Sequence, residues 1–378
     1  MEFVYKDKKN CCGCSACEYI CPKNAIKMLP DNGFLYPVID QDLCVDCGLC
    51  QKNCAFHKDT SKNPSNEAYA AKHIDMDIIK ESSSGGVFTA ISDYILNSGG
   101  TVYGADYNND MVVFHIGTKD KQIRDRMRGA KYVQSNTSGV FDAMKTDISN
   151  GNPVLFTGTP CQVAAVKKLF GNRENLYTAD IICHGVPSPE VWKKYVDFIE
   201  RKYDKKLVYY KFRDKTKGWR SYAAKLFFED GTIISHNNLT GSFIELFRYD
   251  VCLRDSCTNC PFTSLNRPGD ITIGDFWGVE NVMPQISDNM GTSAVIVNSE
   301  KGKKIIESIS ASLQLYPCSK EDIAKKQPPL KFPSSFSNKY NSFQHDFKTL
   351  PFDKVLKKYT RVGLKRKIID FAKQIIKK

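Results

Sequence analysis

A chain of 378 residues with 42% hydrophobic and 11% aromatic residues can bury a sizeable core, and its length allows two or three domains. It holds no uncharged apolar run of about 18 residues or more, which excludes a bilayer-spanning helix, and its opening residues MEFVYKDKKN lack the apolar stretch of a secretory signal. The formal charge of +12 counts fifteen cysteines as neutral; metal-thiolate groups would offset part of that excess, so no nucleic-acid partner is expected. The expected compartment is the cytoplasm, where thiols stay reduced and available to metals.

The first element in chain order carries the strongest signal. Cys11, Cys14, Cys17 and Cys21, then Cys44, Cys47, Cys50 and Cys54, repeat the spacing C-x2-C-x2-C-x3-C. Three close thiolates then hold one 4Fe-4S cubane, and the fourth reaches across to the other. One cluster is therefore assigned to Cys11, Cys14, Cys17 and Cys54, and the second to Cys44, Cys47, Cys50 and Cys21. Gly13, Gly48 and Pro22 supply tight turns, Cys12 is spare, and Ala55 stands where the first run has Pro22. Structural zinc is the competing account, but two such runs exceed what two zinc knuckles need. Residues 1–60 thus form a two-cluster module of the bacterial ferredoxin type, and a polar linker over 61–68 follows.

From Tyr69 onward, short β-rich runs alternate with helical segments, which predicts an α/β layer architecture over 69–315. A helix is expected over 87–96 and strands over 101–106, 112–116 and 153–157. A helix over 161–170 and a strand over 178–183 come next, then a helix with Ser188 as cap and Pro189 in its first turn. Further strands are expected over 207–212, 222–228, 271–273 and 294–297. Beyond about 315 the chain turns Pro-, Ser- and Lys-rich, and 316–378 reads as a basic extension with only a final helix. The last 18 residues hold seven Lys or Arg against one Asp. Leu364, Ile368, Phe371, Ile375 and Ile376 lie near helical spacing there, which suits a membrane surface, a partner groove or docking on the chain's own domain equally well.

Four more cysteines sit at strand-to-helix turns or in a C-x2-C: Cys161 in GTPCQ, Cys183 in ICHG, and Cys257 and Cys260 in SCTNC. Neighbouring strand ends would bring the first two together at a sheet rim, where the other two can complete a third 4Fe-4S site; half a zinc site is the alternative. Cys252 and Cys318 stand outside the pattern. Ser84, Gly85 and Gly86 open a helix whose amides suit a diphosphate, or serve as an ordinary cap. Arg124, Arg126, Arg128 and Lys131 surround Gly129 and offer a basic cluster, or a solvated face. His184 beside Cys183, Asp275 with Asp270 around a strand, and Trp277 are candidates for proton handling, ligand orientation and ring packing.

The cysteine runs, SSSGGVF, RGAKYVQS, GTPCQVAAVKK, ICHGVPSPEVW, RDSCTNC and DITIGDFWG together resemble the coenzyme F420 hydrogenase/dehydrogenase beta-subunit family over about residues 8–300. The layout is similar to members with a fused two-cluster ferredoxin domain, and the plant 7-hydroxymethyl chlorophyll a reductase is related. The resemblance implies an iron-sulfur flavoprotein with FAD and one 4Fe-4S cluster in the central domain. It places Ser84, Gly85 and Gly86 in the flavin-contacting loop with Lys131 nearby, and Cys161, Cys183, Cys257 and Cys260 around the core cluster. The expected partners are an external electron donor or acceptor protein and an organic two-electron substrate, coenzyme F420 or another. The alternative is an electron-delivering subunit with no substrate of its own, docking on a partner enzyme such as one of surface-polysaccharide biosynthesis. The expected location is cytoplasmic or peripheral at the inner membrane face.

Overall fold

The computed structural model describes residues 4–56, 67–235 and 237–362. The amphipathic run from Leu364 to Ile376 lies outside the described residues, as does most of the expected linker. Among the described residues no helix is long and apolar enough to cross a membrane.

The cysteine-rich module is built around an antiparallel hairpin, β1 (Ile26–Asp31) and β2 (Phe34–Ile39), flanked by the short helices Ala16–Ile20 and Leu49–Lys52. Asn32 and Gly33, both at positive φ, form the turn that this hairpin needs.

The central body is an eight-stranded mixed sheet. Its strands are β3 (Ala68–His73), β4 (Thr101–Tyr107), β5 (Val113–Thr118), β6 (Val154–Gly158), β7 (Leu176–Ile181), β11 (Ile271–Asp275), β12 (Ser293–Val297) and β13 (Leu313–Cys318). Their order is β13-β3-β12-β11-β7-β6-β4-β5. The four strands β4, β6, β7 and β11 run parallel, and the flanking pairs are antiparallel. The central strands bury both faces, so they read as unbroken apolar runs: Val154, Leu155 and Phe156 in β6, and all of SAVIV in β12, are inaccessible.

A second sheet, β8 (Leu207–Asp214), β9 (Ala223–Phe228) and β10 (Ile233–Ser235), is antiparallel. Against it packs the helix Pro189–Tyr203, which starts where Ser188 Oγ accepts from Val191 N at 3.3 Å and Pro189 presets the first turn. Its stripe of Val191, Trp192, Tyr195, Val196 and Ile199 fills an aromatic core with Tyr210, Phe212 and Phe243. Trp192 Nε1 donates to the Met111 carbonyl at 2.6 Å, which satisfies its one polar atom.

The chain beyond 315 is more regular than its composition implies. β13 straddles the expected boundary and pairs with β3 along its whole length. The helices Tyr340–Thr349 and Phe352–Tyr359 place Phe343, Phe347, Phe352, Val355, Leu356 and Tyr359 in the same core as Trp192. Aromatics spaced three and four apart carry those helices despite the surrounding Lys, Ser and Pro.

One buried ion pair fastens the sheet edge. Asp180 in β7 and Arg267 have side-chain exposures of 0% and 1%, with Arg267 Nη2 donating to Asp180 Oδ1 at 2.7 Å. Asp180 also accepts from Gly269 N and Thr272 Oγ1, and Arg267 donates to the carbonyls of Phe262 and Ile181. Removing one partner leaves a buried charge unmet, so Asp180→Ala is expected to cost about 3–5 kcal/mol. A urea-denaturation midpoint close to that of the parent chain would contradict this.

Candidate functional site

The eight N-terminal cysteines divide into two sets, each lining its own small cavity. Cys11, Cys14, Cys17 and Cys54 surround one, and Cys21, Cys44, Cys47 and Cys50 surround the other. The same partition appears in their electrostatics. Burial pushes the Cys17 thiol up, and Cys14, Cys11 and Cys54 push it further, while Cys50 is raised by burial and feels Cys47 and Cys21. Positive φ at Gly13, Ser15, Asp46 and Gly48 turns the two loops so that cysteines three apart face one centre. At Gly13 this freedom is joined by crowding, because a Cβ there would lie 2.8–2.9 Å from the Arg254 guanidinium.

The core cysteines converge from three segments. Cys161 sits in the first turn of the helix Pro160–Phe170, whose cap Thr159 forms a reciprocal capping box with Gln162. Cys183 follows β7 by two residues, and Cys257 and Cys260 bracket the end of the turn Asp255–Asn259. Cys183 is pushed up by burial and then by Cys257, Cys161 and Cys260; Cys260 also feels Cys161. All four therefore share one electrostatic neighbourhood. Val186 N donates to Cys257 Sγ at 3.4 Å, and Thr159 Oγ1 lies 3.2 Å from Cys161 Sγ.

Among the described residues no three His, Cys, Asp or Glu side chains stand close enough to share a single metal ion. One zinc at about 2.3 Å from each sulfur draws its ligands together, whereas a cubane spreads four thiolates over its corners. The spare Cys12 is buried between the inner N-terminal set and the core set. It hydrogen-bonds both Cys14 and Cys161, and its hydrogen bond is the main cause that lowers the Cys161 thiol to about 7.

Beside Cys183 opens a cavity of about 540 Å³ at the carboxyl ends of β6, β7 and β11. Its walls include Thr157–Thr159, Ile181–Val186 and Ile273–Asp275, with Tyr132, Tyr222 and Trp277 as aromatic surfaces. Trp277 stacks on Trp219 at 4.7 Å, and Tyr132 stacks on Phe247 at 4.9 Å. His115 is buried on the wall. Its Nε2 lies 2.9 Å from the Thr157 carbonyl, its Nδ1 has no partner, and burial lowers its pKa to about 4. Lys131 lines the same cavity, donates to the Arg126 carbonyl at 2.7 Å and is lowered to about 8 by desolvation. A smaller cavity of about 240 Å³ shares Gly129, Ala130 and Arg213 with the first and is lined by Arg128 and Lys211. The Nε of Arg128 is buried without a partner.

Several sequence candidates have other duties. Ser84, Gly85 and Gly86 are absent from the cavity wall, which Ser83 joins instead. Ser84 Oγ donates to the Thr292 carbonyl, Gly85 N donates to Ser293 Oγ, and a Cβ at Gly85 would lie 2.3 Å from the Ala71 carbonyl oxygen. The loop is thus stitched to β3 and β12. Asp275 is on the wall, but its oxygens accept from Arg213 Nη1 at 2.6 Å and Trp219 Nε1 at 3.2 Å, so it fixes wall residues. Arg124 is buried against Asp93, Asp125 and Thr89, and Arg126 pairs with Asp106. Asp270 accepts from Thr178 and Ser299 inside the sheet. His184 does reach the cavity, with Nε2 at 2.6 Å from Asp250 Oδ1. Sequence reasoning missed Arg254, Arg267, Cys12 as a bridge, His115 and the wall segment Lys326–Pro329. Of these, only Arg254 had a signal, its position just before the C-x2-C.

The crowding at Gly13 generates a test. Gly13→Ala adds a Cβ at φ +66 against a buried guanidinium, and is expected to lower bound iron by about four per chain while sparing the outer cluster. An iron content equal to that of the parent would show that the loop tolerates the methyl.

Comparison with known proteins accords with this geometry. Residues 151–321 match the family model for the C terminus of the coenzyme F420 hydrogenase/dehydrogenase beta subunit, and residues 10–58 match the 4Fe-4S dicluster domain. Among solved structures, a chain of the F420-reducing NiFe hydrogenase complex from Methanosarcina barkeri aligns with a TM-score of 0.46 and 17% identity, over 72% of this chain and 92% of that one. No curated protein matches. The two family matches, in this order along one polypeptide, make the chain a member of the coenzyme F420 hydrogenase/dehydrogenase beta-subunit family with a 4Fe-4S dicluster domain on its N-terminal side.

Proposed function

We propose that this iron-sulfur oxidoreductase holds a third 4Fe-4S cluster on Cys161, Cys183, Cys257 and Cys260 and an FAD in the adjoining cavity, and exchanges electrons with coenzyme F420 or another organic substrate. The observation that carries the reading is that the four core thiols share one neighbourhood, with Cys183 on the cavity wall and Cys12 joining the group to the inner N-terminal set.

The residues present fit the two groups. Four cysteines from three segments form an all-sulfur donor set, which suits iron-sulfur ligation. The cavity falls within the roughly 300–1,000 Å³ of small-molecule and cofactor sites. His115 Nδ1 and Arg128 Nε are a buried acceptor and a buried donor left open, which a polar ligand would satisfy. Tyr132, Tyr222 and Trp277 would flank the flavin ring, and Arg128, Lys131 and Lys211 would face its phosphates. A bound flavin supplies the exchange between single electrons, which cubanes carry, and the two-electron chemistry of organic substrates.

The chain's own part is to position and to exclude water. Asp275 holds Arg213, and Arg213 Nη1 also donates to the Tyr132 hydroxyl at 3.2 Å, so one carboxylate orders two residues of the wall. Gln162 Nε2 donates to Ser135 Oγ at 2.9 Å and keeps the start of the Cys161 helix against the wall. His184, paired with Asp250, can hold a proton at Nε2 on the cavity side. The family's description as a beta subunit supports a second reading, in which a partner enzyme carries the substrate site and this chain delivers electrons.

Anaerobic reconstitution tests the proposal: about twelve irons and one flavin per chain are expected, falling to about eight irons in Cys257→Ser with flavin retained. About eight irons and no flavin in the parent chain would overturn it. Turnover with reduced F420 by the isolated chain favours the enzyme reading; flavin reduction without turnover until a partner is added favours the second.

A further inference from the structure

A single guanidinium lies against the inner N-terminal cysteines. Arg254 is fully buried. Its Nε donates to the Cys11 carbonyl at 2.8 Å, its Nη2 donates to the Leu35 carbonyl at 2.8 Å, and its Nη1 donates to Gln134 Oε1 at 3.0 Å. The same Nη2 stands 3.7 Å from Cys11 Sγ, a cluster-ligand position. The Tyr36 ring covers its face at 4.1 Å. The Arg254 carbonyl accepts from Cys257 N at 3.0 Å, so the residue is also built into the core cysteine turn.

We propose that Arg254 raises the reduction potential of the inner N-terminal cluster, held by Cys11, Cys14, Cys17 and Cys54, and so keeps that cluster reducible despite its burial. Reduction adds one negative charge to a cluster that is already anionic, and burial alone opposes this. The outer set has another source of relief, since Cys47 is exposed and Cys44 partly so, which lets water solvate the added charge. Cys12 and Cys17 of the inner module are buried, and relief there has to come from the protein. A fixed cation a few ångströms from the cluster, with an N–H directed at a ligand sulfur, supplies it. The step served is the passage of one electron from the outer cluster to the inner: the outer is oxidised by one electron, the inner is reduced by one, and no bond or proton moves. The electron enters from a one-electron protein donor or, in the experiment, from dithionite. The inference rests on the two N-terminal clusters alone and stands apart from the core cluster and the flavin.

The experiment is a potentiometric titration of the reconstituted full chain followed by electron paramagnetic resonance, with Cys47→Ser used to identify the outer signal. Arg254→Gln is expected to lower the midpoint of the inner signal, so that at the parent's midpoint its reduced-to-oxidised ratio falls about tenfold or more, while the outer signal keeps its midpoint. Arg254→Lys, which keeps the charge but not the fork, is expected to restore most of the shift. Gln134→Glu places a carboxylate against Arg254, at the loss of one bond to the Cys12 carbonyl. It should lower the inner midpoint with the guanidinium still in place, and it decides the question if Arg254→Gln fails to load iron. An unchanged inner midpoint in Gln134→Glu, or equal shifts of both signals in Arg254→Gln, overturns the proposal.

Discussion

The shared direction of β6, β7 and β11 is the constraint from which the site follows. Parallel strands present all their carboxyl ends on one edge, and the residues just past those ends are Thr159 with Cys161, Cys183, and Trp277. A C-x2-C placed far along the chain still has to reach that edge. Arg267 makes this possible by donating to the carbonyls of Phe262 and Ile181 while its charge is met by Asp180. The loop bearing Cys260 is thereby tied to the end of the strand that leads to Cys183. Burying both charges is expensive, and the network of Gly269 N and Thr272 Oγ1 on Asp180 is what makes the pair tolerable.

A second constraint is how near the N-terminal module comes to that edge. The contact is made by small residues: Cys12, Ala16 and Ala55 on one side and Ala164 and Ala165 on the other. Ala55, which departs from the proline of the first run, is buried at this seam, and its methyl lets the helix Pro160–Phe170 approach. Gln134 Nε2 donates to the Cys12 carbonyl and Thr137 Oγ1 to the Cys14 carbonyl, so the cysteine loop's backbone is satisfied by the central domain. The module is therefore a fixed part of the structure, and its inner cysteines face the core set with only the Cys12 sulfur between them.

Much of this was legible in the sequence because it is local. The crossed pairing of the two cysteine runs, the helix behind Ser188 and Pro189, and the apolar strands at 154 and 176 depend on neighbours within a few residues. What failed to show depends on distant partners. Ser84, Gly85 and Gly86 look like a phosphate cradle, yet their polar groups meet Thr292 and Ser293, some two hundred residues away. Asp275 looks like a ligand contact, and its carboxylate is already held by Arg213 and Trp219. Arg124 reads as a free cation in a basic run but is spent on Asp93 from another helix. His115 had no motif at all, because its isolation is created by the folding of β5 against Phe156.

The cavity wall also joins segments of different kinds. Its floor comes from residues within the matched family region, whereas Lys326, Gln327, Pro328 and Pro329 lie beyond residue 321, where that match ends. Gln327 is nevertheless buried, and its amide donates to the Asp275 carbonyl, so this segment is anchored to the strand end that holds Arg213. Two prolines stiffen it next to Lys326, which is exposed. The cysteine edge therefore stays constant while the facing wall can differ in charge and shape without disturbing any thiol. In such an arrangement the choice of organic partner belongs to the Lys326–Pro329 side, and the electron path belongs to the strand ends.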